Sequence, residues 1–139
     1  MEDLDFVRLY AKSWNQLNFE VIEPFLSSDV VYDSQVVLES LVGKAAVSDY
    51  LEGKMETIKR NLLTSEVYAE VGYCGSQAGR RVQLFGAEGR PCVLMAQGDI
   101  SIPTAIVLLE TDGRMIKQVS IGTVVPDPAS AIRTGEYPE

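Results

Sequence analysis

The feature that most constrains this chain is a change of hydrophobic period near Asn61. Ahead of it, Phe6, Val7, Tyr10, Ala11, Trp14 and Leu17 recur at three- and four-residue steps, the stripe of a helix that starts after an Asp3 or Asp5 cap. Val47, Tyr50, Leu51, Met55 and Ile58 repeat the pattern from Lys44 onward. Lys54, Lys59 and Arg60 complement the dipole of that helix, and Gly53 weakens it slightly. Between the two, Asn18 can cap a short second helix through Phe19, Val21, Ile22, Phe25 and Leu26, bent or shortened by Pro24. The β-branched run Val30–Val37 reads as a strand. Beyond Asn61 the period falls to two: Val67, Ala69, Val71 and Tyr73 share one face, and Glu66, Tyr68, Glu70, Gly72 and Cys74 the other, a half-exposed strand. Glycine-rich turns bracket Arg80–Phe85, and Pro91–Gln97 and Thr104–Glu110 supply further apolar runs. Thr111-Asp112-Gly113 turns the chain into Arg114–Thr123. Helix, helix, strand, helix and then a meander of four strands predict an α+β fold, with helices packed on one face of a curved sheet.

A chain of 139 residues, 46% of them hydrophobic, suits one domain that needs no disulfide or metal staple. Residues 1–125 are assigned to it. Residues 126–139 carry three prolines and little apolar periodicity, and read as a loose tail or an arm lying on a partner subunit.

Composition then removes whole classes of chemistry. The chain has no histidine, which excludes Ser-His-Asp and Cys-His catalysis and histidine-ligated metals. Two cysteines, Cys74 and Cys92, are too few for an all-cysteine metal site and read as buried thiols. The net charge is -8 with no basic cluster, so no nucleic-acid partner is expected. Gly86-Ala87-Glu88-Gly89 lacks the lysine and following helix of a phosphate loop, and the carboxylates show no metal-ligand spacing; neither cofactor nor metal is predicted. An acidic start, Met1-Glu2-Asp3-Leu4-Asp5, and the lack of an apolar run near the ~18 residues of a membrane span lead to the expectation of a cytoplasmic protein without a membrane partner.

Three stretches carry a resemblance. They are Phe6-Val7-Arg8-Leu9-Tyr10 through Asn15, followed by Phe25-Leu26-Ser27-Ser28-Asp29-Val30-Val31-Tyr32-Asp33; Gly43-Lys44-Ala45-Ala46-Val47-Ser48-Asp49-Tyr50-Leu51; and Val107-Leu108-Leu109-Glu110-Thr111-Asp112-Gly113-Arg114-Met115-Ile116. In order and spacing, over roughly residues 4–123, they resemble the nuclear-transport-factor-2-like superfamily, which includes SnoaL-like proteins and ketosteroid isomerase. The resemblance implies an α+β cone, a bent and mainly antiparallel sheet wrapped around helices with a hollow between them, and commonly a homodimer. Members include isomerases, dehydratases, epoxide hydrolases, cyclases and non-catalytic binding proteins, so the fold does not choose the function.

The resemblance also implies site residues. A carboxylate facing the hollow from the first strand falls at Asp33 or, one residue on, at Ser34, and strand parity decides which of the two enters. Tyr10 matches a helix-one tyrosine that donates to an oxyanion, or is a core tyrosine of its stripe. The position of a second, acidic donor is held by Ala105. The epoxide hydrolase arrangement would need Asp33, Asp99 and Arg81 or Arg114 together, and no motif joins them. Trp14, Tyr32, Tyr50, Met55 and Tyr73 are either walls of a flat apolar pocket or plain core. Gln83, Gln97, Asp99 and Gln118 interrupt apolar strands, and any of them pointing inward would need a polar partner. The expectation is a homodimeric protein that binds a hydrophobic small molecule, with Tyr10 as donor and proton transfer through Asp33. An isomerase or lyase acting on a hydrophobic substrate, and a non-catalytic dimeric interaction module, are the alternatives.

Overall fold

The computed structural model describes residues 1–35, 39–61, 66–75, 89–123 and 127–139. Arg80–Phe85, Gln83, Arg81, the Gly86–Glu88 turn and the last residues of the Val30–Val37 run lie outside the described residues. Helix α1 spans Asp3–Gln16. Its cap is Glu2 rather than Asp3 or Asp5, and Asp5 closes a reciprocal capping box by accepting from the Glu2 N–H at 2.8 Å. The expected stripe is the buried one, with Phe6, Val7, Tyr10, Ala11 and Trp14 facing inward. Leu17 ends the helix in the left-handed region at φ 49°.

The short second helix is replaced by two 3-10 turns, Phe19–Val21 and Glu23–Phe25. Asn18 does cap the first, accepting from Glu20 N at 3.1 Å, but Pro24 interrupts the ladder before a full α turn can form. Strand β1 (Leu26–Ser34) therefore starts four residues earlier than the β-branched run suggested. After the two-residue β2 (Leu41–Val42), helix α2 runs Lys44–Arg60 and buries Val47, Leu51 and Met55, as its periodicity predicts. Strands β3 (Val67–Tyr73), β4 (Pro91–Gln97), β5 (Ala105–Thr111), β6 (Ile116–Gly122) and β7 (Ile132–Glu136) complete one seven-stranded sheet in the order β2-β1-β6-β5-β4-β3-β7. The β1–β6 pair is parallel and all others are antiparallel, so the α+β, mainly antiparallel expectation holds.

Both helices pack on one face of this sheet, and the main core lies between: Phe6, Tyr10 and Leu51 meet Val71, Val107 and Val119. Each large side chain buried in this way contributes about 2–3 kcal/mol. Phe6 and Phe25 meet edge to face, with ring centroids 6.3 Å apart. The opposite face is not simply solvated. Cys74, Cys92, Leu94, Ile106 and Leu108 form a second buried cluster there, so β3 is covered on both sides rather than half-exposed.

The C-terminal stretch corrects the expectation of a loose tail or partner arm. Pro128–Ser130 forms a 3-10 turn capped by Asp127, and β7 pairs with β3 as an edge strand. All of its residues but Glu136 are exposed, and what holds them is polar. Glu70, 2% exposed, accepts from Arg133 Nε at 2.8 Å and Gly135 N at 2.7 Å. Arg8 pairs with Glu136 through two nitrogens, and Asn15 Nδ2 donates to Pro138 O at 2.8 Å. An edge strand secured by ion pairs has no apolar alternation to betray it.

Candidate ligand-binding cavity

Between the helices and the end of the sheet where the 98–104 loop joins β4 to β5, a cavity of about 680 Å³ opens to solvent. Helix α1 contributes Tyr10 and Trp14 to its wall, β1 contributes Tyr32, and β6 contributes Ile121. Because β1 and β6 run parallel in the register Tyr32↔Val119, Tyr32 stands on the core face with Val119 and Ile121. The floor comes from Val67, Met95, Ala96, Ala105 and Val107, and the rim from Gln97 and Thr104 at the facing ends of β4 and β5. Helix α2 supplies the remaining wall with Asp49, Tyr50, Gly53, Lys54, Thr57 and Ile58, pairs spaced four residues apart beside its core stripe.

Two of the side chains that line this cavity carry buried polar atoms. The Tyr10 hydroxyl and Trp14 Nε1 are buried and have no hydrogen-bond partner among the described residues, although the two side chains are only 1% and 6% exposed. Leaving a buried donor unpaired costs about 1–3 kcal/mol, so each such group calls for a reason. Burial pushes the Tyr10 phenol above its ordinary value, with the nearby Trp14 indole partly opposing. Tyr32 is pushed up too, first by burial and then by the neighbouring Tyr10 and Tyr50 phenols. Both groups are therefore neutral donors at physiological pH. Tyr32 and Tyr50 lie with ring centroids 5.0 Å apart, and the Lys54 ammonium sits 5.2 Å from the Tyr50 ring centre.

The predicted residues divide. Tyr10, Trp14 and Tyr32 line the cavity together. Asp33 does not line it: parity turns its carboxylate to the other face of β1, in register with Ser120, where Gln118 Nε2 donates to it at 3.2 Å and Ser40 Oγ also donates. Gln118, one of the polar interruptions, thus faces the same way. Ser34 returns to the Tyr32 side but lies beyond the cavity wall. Met55 is fully buried core, 1% exposed. Tyr73 sits at the far end of β3, about 20 Å along the strand from Val67. Asp99 is exposed in the β4–β5 loop, where hydrogen bonds from the Ser101 hydroxyl and backbone N–H hold its carboxyl below the ordinary value. Asp33, Asp99 and Arg114 are not joined by any contact among the described residues. Ala105, where the resemblance would place a second acid, puts only a methyl group on the floor.

Asp49, Gly53, Lys54, Thr57 and Thr104 were not foreseen as cavity residues. Asp49, Gly53, Lys54 and Thr57 occupy the flank of α2 next to its apolar stripe, which a sequence shows as ordinary solvated surface, and Thr104 lies just before β5. The signal available was the recurrence of aromatic or apolar residues, Tyr50 and Ile58, at the edge of that stripe.

No family model matches the chain, and no curated protein matches it. Solved structures do. An NTF2-like protein of unknown function from Cytophaga hutchinsonii superposes with a TM-score of 0.56 at 10% identity, covering 88% of this chain and 89% of its own. A SnoaL-like protein of unknown function from Burkholderia thailandensis gives 0.57 at 13% identity, covering 85% and 90%. An epoxide hydrolase of the LEH-like type from M. tuberculosis gives 0.54 at 15% identity, covering 91% and 86%. The chain therefore has the α+β fold of the NTF2-like and SnoaL-like proteins, as its sequence resemblance implied. At these identities the likeness establishes the fold alone. Among the described residues no helix is long and apolar enough to cross a membrane, and no group of acidic or cysteine side chains could hold a metal ion.

Proposed function

We propose that the protein binds a small, flat, largely apolar molecule bearing a hydrogen-bond acceptor such as a ketone oxygen. The observation that carries this reading is a pair of buried donors without a partner among the described residues, Tyr10 Oη and Trp14 Nε1, on two side chains that line an apolar cavity. A ligand acceptor oxygen that displaces the packing over these atoms would pair with them, while the aromatic and aliphatic walls cover the carbon skeleton. Proton transfer through Asp33 is no part of the proposal, because its carboxylate faces away. Among the described lining residues the sole carboxylate is that of Asp49, on the exposed rim. Binding without turnover is thus better supported than an isomerase or lyase, which needs a base beside the bound carbon acid.

Trp14 is the only tryptophan of the chain, so its fluorescence reports occupancy directly. The test compares 1-tetralone with tetralin, the same skeleton without the carbonyl, by Trp14 fluorescence and calorimetry. The ketone is expected to bind at least tenfold more tightly, and Tyr10→Phe to remove most of that advantage while leaving the fold intact. Equal binding of the two compounds, or no binding of either at millimolar concentration, would overturn the reading.

A further inference from the structure

Helix α2 carries a glycine at its middle, Gly53, and a glycine inside a helix is less stable than alanine because the unfolded chain has more freedom to lose. The fold supplies none of the usual reasons for one. Gly53 is not among the positive-φ residues. A Cβ added to it would meet nothing within 4 Å, so no neighbouring segment approaches too closely for a side chain. The helix continues unbroken from Lys44 to Arg60, and Thr57 Oγ1 donates to the Gly53 carbonyl at 2.9 Å across that turn. What Gly53 does have is a place on the cavity wall, one helical turn from both Asp49 and Thr57 and next to Lys54.

We propose that Gly53 sets the ligand size this cavity admits. Its missing side chain leaves a notch in the α2 wall, over which the wide end of a molecule anchored at Tyr10 and Trp14 extends. The cavity then admits a molecule wider than a single ring, in keeping with its volume of about 680 Å³. This rests on the reading of the cavity as a site for an apolar acceptor molecule. It adds to that reading a size limit and the residue that imposes it.

The experiment titrates 1-tetralone and the tricyclic 9-fluorenone into the wild type, Gly53→Ala and Gly53→Leu, and records the melting temperature of each protein without ligand. The wild type is expected to bind both ketones. Gly53→Leu should weaken 9-fluorenone at least tenfold and change 1-tetralone by less than threefold. Both variants should melt higher by about 2–4 °C, since a helix interior prefers their side chains. If the wild type binds both ketones and Gly53→Leu leaves 9-fluorenone within twofold, the size limit is wrong while the binding reading stands. A wild type that takes 1-tetralone but not 9-fluorenone refutes the notch, as does a lowered melting temperature in Gly53→Ala, which would show that the fold itself needs the glycine. If neither ketone binds the wild type, the binding reading falls and takes this inference with it.

Discussion

Arg133→Met tests the idea that a buried carboxylate, not apolar packing, holds the C-terminal strand. Arg133 donates to four oxygens: Glu70 Oε1 at 2.8 Å, Ile100 O at 2.9 Å, Ser101 O at 3.0 Å and the Tyr137 hydroxyl at 3.0 Å. Ile100 and Ser101 are exposed, so their carbonyls take water instead and their loss contributes little. Glu70 has no such recourse, because its side chain is 3% exposed. Without Arg133 its carboxylate keeps, among the described residues, the Gly135 N–H at 2.7 Å and the Tyr137 hydroxyl at 3.3 Å. A hydrogen bond to a charged group is worth about 1.5–3 kcal/mol, and breaking a fully buried pair costs about 3–5 kcal/mol. Arg133 is 37% exposed, so solvent screening holds the loss near the lower figures, about 2–3 kcal/mol. For a domain of this size that lowers the melting temperature by about 8 °C. Urea unfolding of Arg133→Met, of Glu70→Gln and of the double variant closes a mutant cycle. Arg133→Met should cost about 1 kcal/mol once Glu70→Gln is present, since a neutral amide tolerates the loss of its cation. An effect below about 0.5 kcal/mol, or the same effect with and without Glu70→Gln, would refute the account of β7 as a strand held by charge.

Two further expectations concern groups hidden by the fold. Burial raises the phenol pKa of Tyr10 and Tyr32 above the ordinary 10.0, so above that pH the unfolded chain binds fewer protons than the folded one. Stability is then complete below pH 10 and falls as pH rises beyond it, by up to about 1.4 kcal/mol per pH unit for each of the two. A titration at 295 nm should show no more than four of the six tyrosines ionising before circular dichroism reports unfolding; six reversible ionisations in native protein would contradict the burial. Cys74 and Cys92 are 2% and 0% exposed, and hydrogen bonding to Cys74 together with burial pushes the Cys92 thiol up. Neither should react with a disulfide reagent at neutral pH until urea unfolds the chain, when both should, and rapid reaction of the native protein would place the second apolar cluster at the surface.

Much of the architecture was legible because it depends on period. The stripes of α1 and α2 appear where the spacing of apolar residues demands a buried face, and β3 forms where the period falls to two, although both of its faces are covered. Strands β4, β5 and β6 fall within a residue or two of the runs that predict them. The failures have causes of another kind. The 3-10 turns before β1 depend on where Pro24 breaks a hydrogen-bond ladder, and β7 depends on charges contributed by residues more than sixty positions away. Tyr10, Trp14 and Tyr32 were legible as cavity candidates because they lie on stripes that must face inward. Asp33 was not decidable, because a single residue of register reverses the face of a strand.

By itself the sequence determined that this chain forms an α+β domain without histidine chemistry, and it named the helix and strand faces that go inward. Those are local properties, set by side-chain spacing and composition. Only the tertiary structure decided that the polar flank of α2 borders a cavity, that two donors of α1 meet no partner among the described residues, and that Asp33 turns the other way. Each of these depends on the register of a strand or on the separation of two packed elements. Spacing along the chain constrains such quantities weakly, because several arrangements bury the same stripes equally well.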